Sequence, residues 1–250
     1  MNKFILKNKH IFLRLKRKLN FFFKIDIIKY PSRELDRREK LLSHYNINVV
    51  LDVGANIGQY GSELRSLGYK GEIISFEPTS DAFEKLVKVS KHDKKWRAMN
   101  ISLGDYSGNI TINISGNSVS SSILEDLPQL IESAPAAKFI KKEEVQIKKL
   151  DEILDALDIK DKNIFLKIDT QGYEKMVLDG AKESLDIIRG VQLEMSLVPT
   201  YKGAASFSEL RSKMESFGFA MNTIEPGYHD NRTGRLLEVD GLFFRNNADQ

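Results

Sequence analysis

Cysteine is missing from all 250 residues of the sequence. Disulfides, thiolate nucleophiles and cysteine-ligated zinc are thereby excluded, and the chain fits a reducing compartment. Long apolar runs are missing too: nothing approaches the roughly 18 consecutive apolar residues of a membrane-spanning helix. The basic start is the first feature of a secretory signal, but Arg14, Lys16, Arg17 and Lys18 interrupt its apolar residues and no small-residue cleavage site follows. A cytoplasmic protein is expected. Nor is there a large charge imbalance, since the formal net charge is +3. What remains is an ordinary globular composition, 41% hydrophobic and 29% charged, over a length that suits one α/β domain or two small ones.

The charge is unevenly placed. Residues 1–25 hold Lys3, Lys7, Lys9, Arg14, Lys16, Arg17, Lys18 and Lys24 and no acid, interleaved with aliphatic residues and with Phe21, Phe22 and Phe23. A basic amphipathic segment of this kind either packs its apolar stripe on the domain or lies on an anionic membrane surface, here the inner face. The expected division is a basic arm over residues 1–44 and one α/β domain over 45–250.

From residue 48 the pattern alternates strand and helix. Strands are expected over 48–53, 72–76, 98–101, 164–168 and 191–194. Helices are expected over 59–67 and 81–90, and over 173–189 with a break at Gly180. Ser206 and Glu209 have capping-box spacing and open a helix that Gly218 stops. Two consecutive strands, 219–224 and 239–244, predict an antiparallel pair at the sheet edge. Residues 103–163 form a long insertion with a hairpin near Gly108 and a serine-rich loop over 116–122. Such insertions often serve as lids or substrate loops. The whole predicts a mostly parallel, doubly wound sheet with a C-terminal antiparallel hairpin.

Chemistry-bearing residues gather at the predicted strand ends. Asp52-Val53-Gly54-Ala55-Asn56-Ile57-Gly58 sits where the first strand gives way to a helix. Its glycines permit close backbone approach to a ligand, and the helix start offers free N–H groups. An acid at Asp52 would repel a pyrophosphate but suits a ligand carrying an ammonium, which favours S-adenosylmethionine over a dinucleotide. Glu77 ends the second strand, where a carboxylate can accept both hydroxyls of a ribose. Asp169 ends the strand 164–168, with Lys167 deeper on the same side, placed either to pair with an acid or to form a purely structural ion pair. Glu194, Asp240 and His229 are further groups that could converge there. Gly54, Gly58 and Gly61 do not form the Gly-x-Gly-x-x-Gly spacing of a nicotinamide-dependent oxidoreductase.

The runs Asp52–Tyr60, Ser75-Phe76-Glu77-Pro78 and Leu166-Lys167-Ile168-Asp169-Thr170-Gln171-Gly172-Tyr173-Glu174 together resemble the FkbM family of methyltransferases. Gly116-Asn117-Ser118 with Ser120–Ser122, Gln192-Leu193-Glu194 and the segment 239–245 add to the likeness, which covers roughly residues 45 to 245. The resemblance implies a Rossmann-like domain that transfers a methyl group from S-adenosylmethionine, mainly to hydroxyls of sugars, surface glycans and related metabolites. It places Asp52, Gly54, Asn56 and Gly58 around the methionine part of the cofactor and Glu77 on the ribose. Ser102 is the candidate for the adenine pocket, with Asp105 its competitor.

A hydroxyl acceptor must lose its proton, so a positioned base is expected. Asp169 is the first candidate and His229 the second. Asp169 and Glu194 would also suit a magnesium ion that acidifies the hydroxyl. A glycan or small-molecule acceptor is expected and nucleic acid is not, because the domain shows no basic face interleaved with aromatics. The competing readings are a non-catalytic scaffold that binds S-adenosylmethionine and a nucleic-acid methyltransferase.

Overall fold

The computed structural model describes residues 3–24 and 30–245. The chain divides into two compact units, Met1–Arg38 and Glu39–Gln250. The first contains helix α1 (Lys3–Phe23) and the opening turns of α2 (Arg33–His44). The division falls inside α2, earlier than the expected arm boundary at residue 44, because Leu42 and Ile47 are buried beside Val50 and so belong with the second unit. Among the described residues no helix is long and apolar enough to cross a membrane.

The second unit runs β1 (Val49–Val53), α3 (Gln59–Ser66), β2 (Glu72–Phe76), α4 (Ser80–Ser90), β3 (Trp96–Met99), β4 (Ser102–Leu103), β5 (Gly108–Ser115), α5 (Pro128–Ser133), β6 (Phe139–Lys148), α6 (Leu150–Leu157), β7 (Ile164–Ile168), α7 (Glu174–Asp179), β8 (Ile188–Ser196), α8 (Phe207–Ser216), β9 (Phe219–Pro226) and β10 (Glu238–Arg245). Seven strands make one sheet in the order β3-β2-β1-β7-β8-β10-β9. The first five in that order are parallel, and β10 is antiparallel to both neighbours. The expected C-terminal hairpin is present, with its second strand inserted between β8 and the edge strand β9.

Both faces of the sheet are covered. Val49, Leu51 and Val53 pack with residues of α6, α7 and α8, whereas Val50 packs with Leu64 of α3 and Leu86 of α4. Strands β1 and β7 are buried along their whole length, which explains why they read as continuous apolar runs. The chain steps from β1 outward to β2 and β3, then returns to β7 on the other side of β1. The strand order therefore reverses between β1 and β7, and the crevice beyond the carboxyl ends of strands at such a reversal is where ligands collect.

Three expectations need correction. The third strand lies at Trp96–Met99, two residues early, because Trp96 is the residue that reaches the core. The helix expected over 173–189 stops at Gly180, whose missing Cβ would lie 1.8 Å from the Gly104 carbonyl oxygen; a short 3-10 turn follows and β8 begins at Ile188. No local hairpin forms at Gly108. Instead β5 pairs antiparallel with the distant β6, which also takes β4 as a parallel neighbour, making a separate three-stranded sheet. Strand β6 is exposed over most of its length, so its charges hide the alternation that marks a half-buried strand.

Candidate functional site

The loop after β1 is shaped by close approach. Gly54 has φ +75°, and a Cβ there would sit 1.8 Å from the carbonyl oxygen of Asp169 at the end of β7. Asn56 and Gly58 are also left-handed, at φ 48° and 91°. Gly58 stands at the N-cap of α3, and no side chain caps that helix. The loop is pinned to β2: Gly54 and Ala55 both donate their N–H to the Phe76 carbonyl at 3.1 Å. The Asn56 N–H donates to Glu77 Oε2 at 2.9 Å, and Glu77 Oε1 accepts from the Thr79 N–H at 2.8 Å and the Thr79 hydroxyl at 2.5 Å. Asn100 holds the same strand end through the Glu77 carbonyl at 2.9 Å. Glu77 is thus a buried bridge between two loops, and its burial pushes its carboxyl up. Beside it, Asn56 Oδ1 is buried with no hydrogen-bond partner, an acceptor left over for a ligand.

Beneath the loop a polar row crosses four strands. Ser75, Asp52, Lys167 and Gln192 stand in register on β2, β1, β7 and β8. The Trp96 indole donates to Ser75 Oγ at 3.0 Å, and Ser75 donates to Asp52 Oδ2 at 3.1 Å. Lys167 Nζ lies 3.2 Å from Asp52 Oδ1, 3.5 Å from Asp169 Oδ2 and 3.1 Å from the Gly54 carbonyl to which it donates. Tyr60 of α3 roofs the row, its ring 5.4 Å from the ammonium and its hydroxyl donating to Gln192 at 2.9 Å. Burial alone would pull the Lys167 ammonium down; Asp52 and Asp169 outweigh that and hold it above the usual lysine range. Asp52, expected to face the ammonium of a ligand, is fully buried and has the protein's own ammonium as its counter-ion.

One step further along the strands lies a row of acids. Asp169 follows β7, Glu194 lies beside it near the end of β8, and Asp240 and Glu225 continue the row in register on β10 and β9. A single side chain links the first two: Gln171 Nε2 donates to Asp169 Oδ1 at 3.0 Å and to Glu194 Oε2 at 2.7 Å. Its amide orientation is fixed by the Tyr201 hydroxyl, which donates to Gln171 Oε1 at 2.8 Å, and Ser122 of the insertion donates to the Gln171 carbonyl at 2.6 Å. The turn 170–172 is capped by Glu174, whose Oε1 accepts from the N–H and hydroxyl of Thr170 and from the Gly172 N–H. Asp169 accepts no backbone N–H there, so turn-capping does not explain its presence. Burial, then the neighbouring Asp169, Glu238, Glu174 and Asp240, raise the Glu194 carboxyl well above its ordinary value. Burial likewise pushes Glu174 and Glu238 up to about 7 each.

The other expected residues lie less centrally. Ser102 is buried in β4 of the small sheet and Asp105 is exposed, reached by the Tyr173 hydroxyl at 3.4 Å. His229 is exposed in the loop between β9 and β10 and makes no side-chain bond to Asp169 or Glu194. Among the described residues no group of three or more His, Asp or Glu side chains is disposed to hold a metal ion. Asp169 and Glu194, the expected magnesium ligands, share the Gln171 amide as a donor, an arrangement that suits carboxylates held without a metal.

A glycine-lined loop and a buried carboxylate at the switch point of a mostly parallel sheet define a Rossmann-like architecture. Residues 52–221 match the methyltransferase FkbM domain, and the chain belongs to that family. No curated protein matches the chain. Among solved structures, an uncharacterized protein of Listeria monocytogenes serotype 4b is 10% identical, with 88% of this chain and 70% of that one covered and a TM-score of 0.49. TrmK of M. capricolum, in complex with S-adenosyl-homocysteine, is 10% identical over 87% of this chain and 70% of its own, with a TM-score of 0.46. Magnesium protoporphyrin IX methyltransferase of Synechocystis PCC 6803, with bound SAM, is 9% identical over 86% and 79%, with a TM-score of 0.44. Likenesses this remote say nothing of the present chain's acceptor.

Two outcomes follow from the site's electrostatics. Lys167→Met leaves Asp52 buried without its counter-ion and is expected to cost about 3–5 kcal/mol in urea unfolding, part of which Asp52→Asn restores in the double variant. A Lys167→Met protein as stable as its parent removes the ion pair from its central place. The second outcome concerns pH. Glu174 binds its proton more tightly folded, near 7, than unfolded, near 4.3. The stability this supplies is complete below the unfolded value and is lost as pH rises through about 7. Glu174→Gln keeps the accepting oxygen but not the titration, so its urea midpoint should fall less than the parent's between roughly pH 5 and 8. Parallel pH profiles for the two proteins would contradict the assignment.

Proposed function

We propose that the chain transfers a methyl group from S-adenosylmethionine to a hydroxyl of a sugar, a surface glycan or a related small metabolite, with Asp169 as general base. The observation that carries this reading is Asp169 itself. It stands at the switch point across from Gly54, its side chain is 36% exposed, and Lys167 and Gln171 hold its carboxylate while Glu174 does the local structural work.

The residues present fit the cofactor. The uncapped start of α3 and the orphaned Asn56 oxygen offer donors and an acceptor to its amino-acid end. Gly54 and Gly58 keep the loop backbone bare of side chains. Glu77 lies at the end of β2, where Oε1 already accepts the Thr79 N–H and hydroxyl and Oε2 accepts only the Asn56 N–H, so Oε2 retains a lone pair for a ribose hydroxyl. Ser102, two residues past Asn100, remains the assignment for the adenine side. Asp52 supports the loop from below through Lys167 and does not itself meet the ligand.

When bound, S-adenosylmethionine supplies a methyl on a sulfonium, an already activated leaving group. What the protein must add is alignment and removal of the acceptor's proton. Asp169 accepts that proton, and the Gln171 bridge keeps its carboxylate aimed beyond the strand end. Glu194, raised by burial and by its acidic neighbours, accepts the other hydrogen of the Gln171 amide and so holds the bridge in place beside Asp169.

Two measurements test this. Titration calorimetry should find that Glu77→Ala weakens cofactor binding roughly ten- to a hundred-fold, the loss of hydrogen bonds to a charged group. Unchanged affinity in a folded variant rejects the ribose assignment. Mass spectrometry of surface glycans and small metabolites, with and without the protein, identifies the acceptor. Against it, Asp169→Asn should lower turnover on the order of 100-fold or more, with cofactor affinity within a few-fold. Parent-rate turnover by Asp169→Asn would sink the base, and cofactor binding with no methylated product in any fraction would leave the scaffold reading standing.

A further inference from the structure

We propose that helix α1 is a peripheral membrane anchor that lies in the surface of an anionic bilayer. The helix spans Lys3–Phe23, 21 residues, without one acid. Over its second half, Leu15, Leu19, Phe22 and Phe23 recur at the spacing of one helical face, while Lys16 and Lys18 flank it and Arg14 and Arg17 fall on the other. That apolar face is uncovered: Leu15 is 54% exposed, Phe22 76% and Phe23 67%, and Phe21 beside them is 70% exposed. Phe21 and Phe22 pack on each other edge to face at 5.9 Å, and Lys24 sits 4.9 Å over the Phe21 ring. Phe22 and Phe23, both exposed on that face, form a wedge that a water-facing helix has no reason to keep, while Phe21 turns toward the cationic side.

Two features together select the occupant. The eight lysines and arginines of residues 1–25, a segment whose sequence holds no acid, call for a dense anionic surface. The face of Leu15, Leu19, Phe22 and Phe23 calls for hydrocarbon. A nucleic acid would answer the first demand and leave most of the second in water. An anionic bilayer answers both: the apolar face enters the boundary between headgroups and acyl chains, and the long Lys and Arg side chains reach out to the phosphates. The helix is too cationic to cross, so it lies along the surface.

The test uses the full chain and sedimentation with vesicles of phosphatidylcholine, alone or with roughly one-third phosphatidylglycerol. The protein is expected to pellet with the mixed vesicles and not with phosphatidylcholine alone, and to be released in about 1 M salt, where the Debye length is roughly 3 Å. Arg14→Gln/Arg17→Gln/Lys18→Gln should lose binding at low salt. Phe22→Ser/Phe23→Ser should weaken it about tenfold or more while every charge remains, because two buried rings are lost. Circular dichroism and cofactor titration, which read the other unit, should match the parent in both variants. Equal binding to neutral and mixed vesicles, or undiminished binding by the phenylalanine variant, overturns the proposal. So does retention of an RNA duplex by the same cations with no vesicle binding, which would assign the arm to nucleic acid.

Discussion

Everything at the crevice rests on one buried ammonium. Lys167 has no water to solvate it, and a lysine in that position is tolerable only if carboxylates hold its charge. Asp52 does so from β1 and Asp169 from the end of its own strand, at 3.2 and 3.5 Å. The consequence is geometric. The first strand, the strand across the switch point and the carbonyl of Gly54 are drawn to one nitrogen, so the loop that must accept a ligand is fixed before any ligand arrives. Ser75 and Trp96 extend the anchoring to the second strand and beyond, and Tyr60 seals it from the helix side. The acid of the Asp52 loop and the lysine of the Asp169 segment, far apart in sequence, are therefore two halves of one electrostatic unit.

The row above inverts the problem. Asp169, Glu194, Asp240 and Glu238 crowd like charges together; burial and this repulsion raise the Glu194 and Glu238 carboxyls, and hydrogen-bond donors hold the row together. Gln171 supplies both of its amide hydrogens to two different carboxylates, which a glutamate could not do. Its own direction is decided by the Tyr201 hydroxyl, since the oxygen must face that donor. A neutral amide thus sets the spacing of two acids without neutralising either.

Much of this was readable in the residues, and the unread part has a common cause. The capping box at Ser206 and Glu209 forms with both of its bonds, because it depends only on local spacing. Strands β1 and β7 were legible because burial on both faces makes them uniformly apolar. The gathering of Gly54, Glu77, Asp169 and Glu194 at one end of the sheet followed from strand ends and parallel order. The partner of Lys167 did not follow, because choosing Asp52 over Glu77 needs the register of β1 on β7. Gln171 stood in plain view between Asp169 and Glu174, but an amide next to two acids has no sequence signature. Tyr201 lies in a loop with no periodicity at all. The second sheet was missed because β6 faces water and carries Lys141, Lys142, Glu143 and Glu144 where a strand signal needs apolar residues.

The long insertion gains a meaning from these contacts. Its serine-rich loop reaches the acidic row at two points: Ser122 donates to the Gln171 carbonyl and the Tyr201 hydroxyl reaches the Ser120 carbonyl at 3.3 Å. Tyr201 itself is buried with Leu130 and Ala137 of the insertion, and Asp126 bridges to it by backbone pairing. The insertion therefore ends on the one residue that spaces Asp169 from Glu194. The loop thus holds the Gln171 backbone and the Tyr201 hydroxyl from one side while Gln171 meets the two carboxylates from the other. The serines also act locally: Ser122 Oγ donates to the Gln171 carbonyl at 2.6 Å, and Ser121 Oγ donates to the Ser118 carbonyl at 3.0 Å while accepting from the Ser115 N–H at 3.1 Å, so hydroxyls one carbon from the backbone fold the loop and hold it against Gln171.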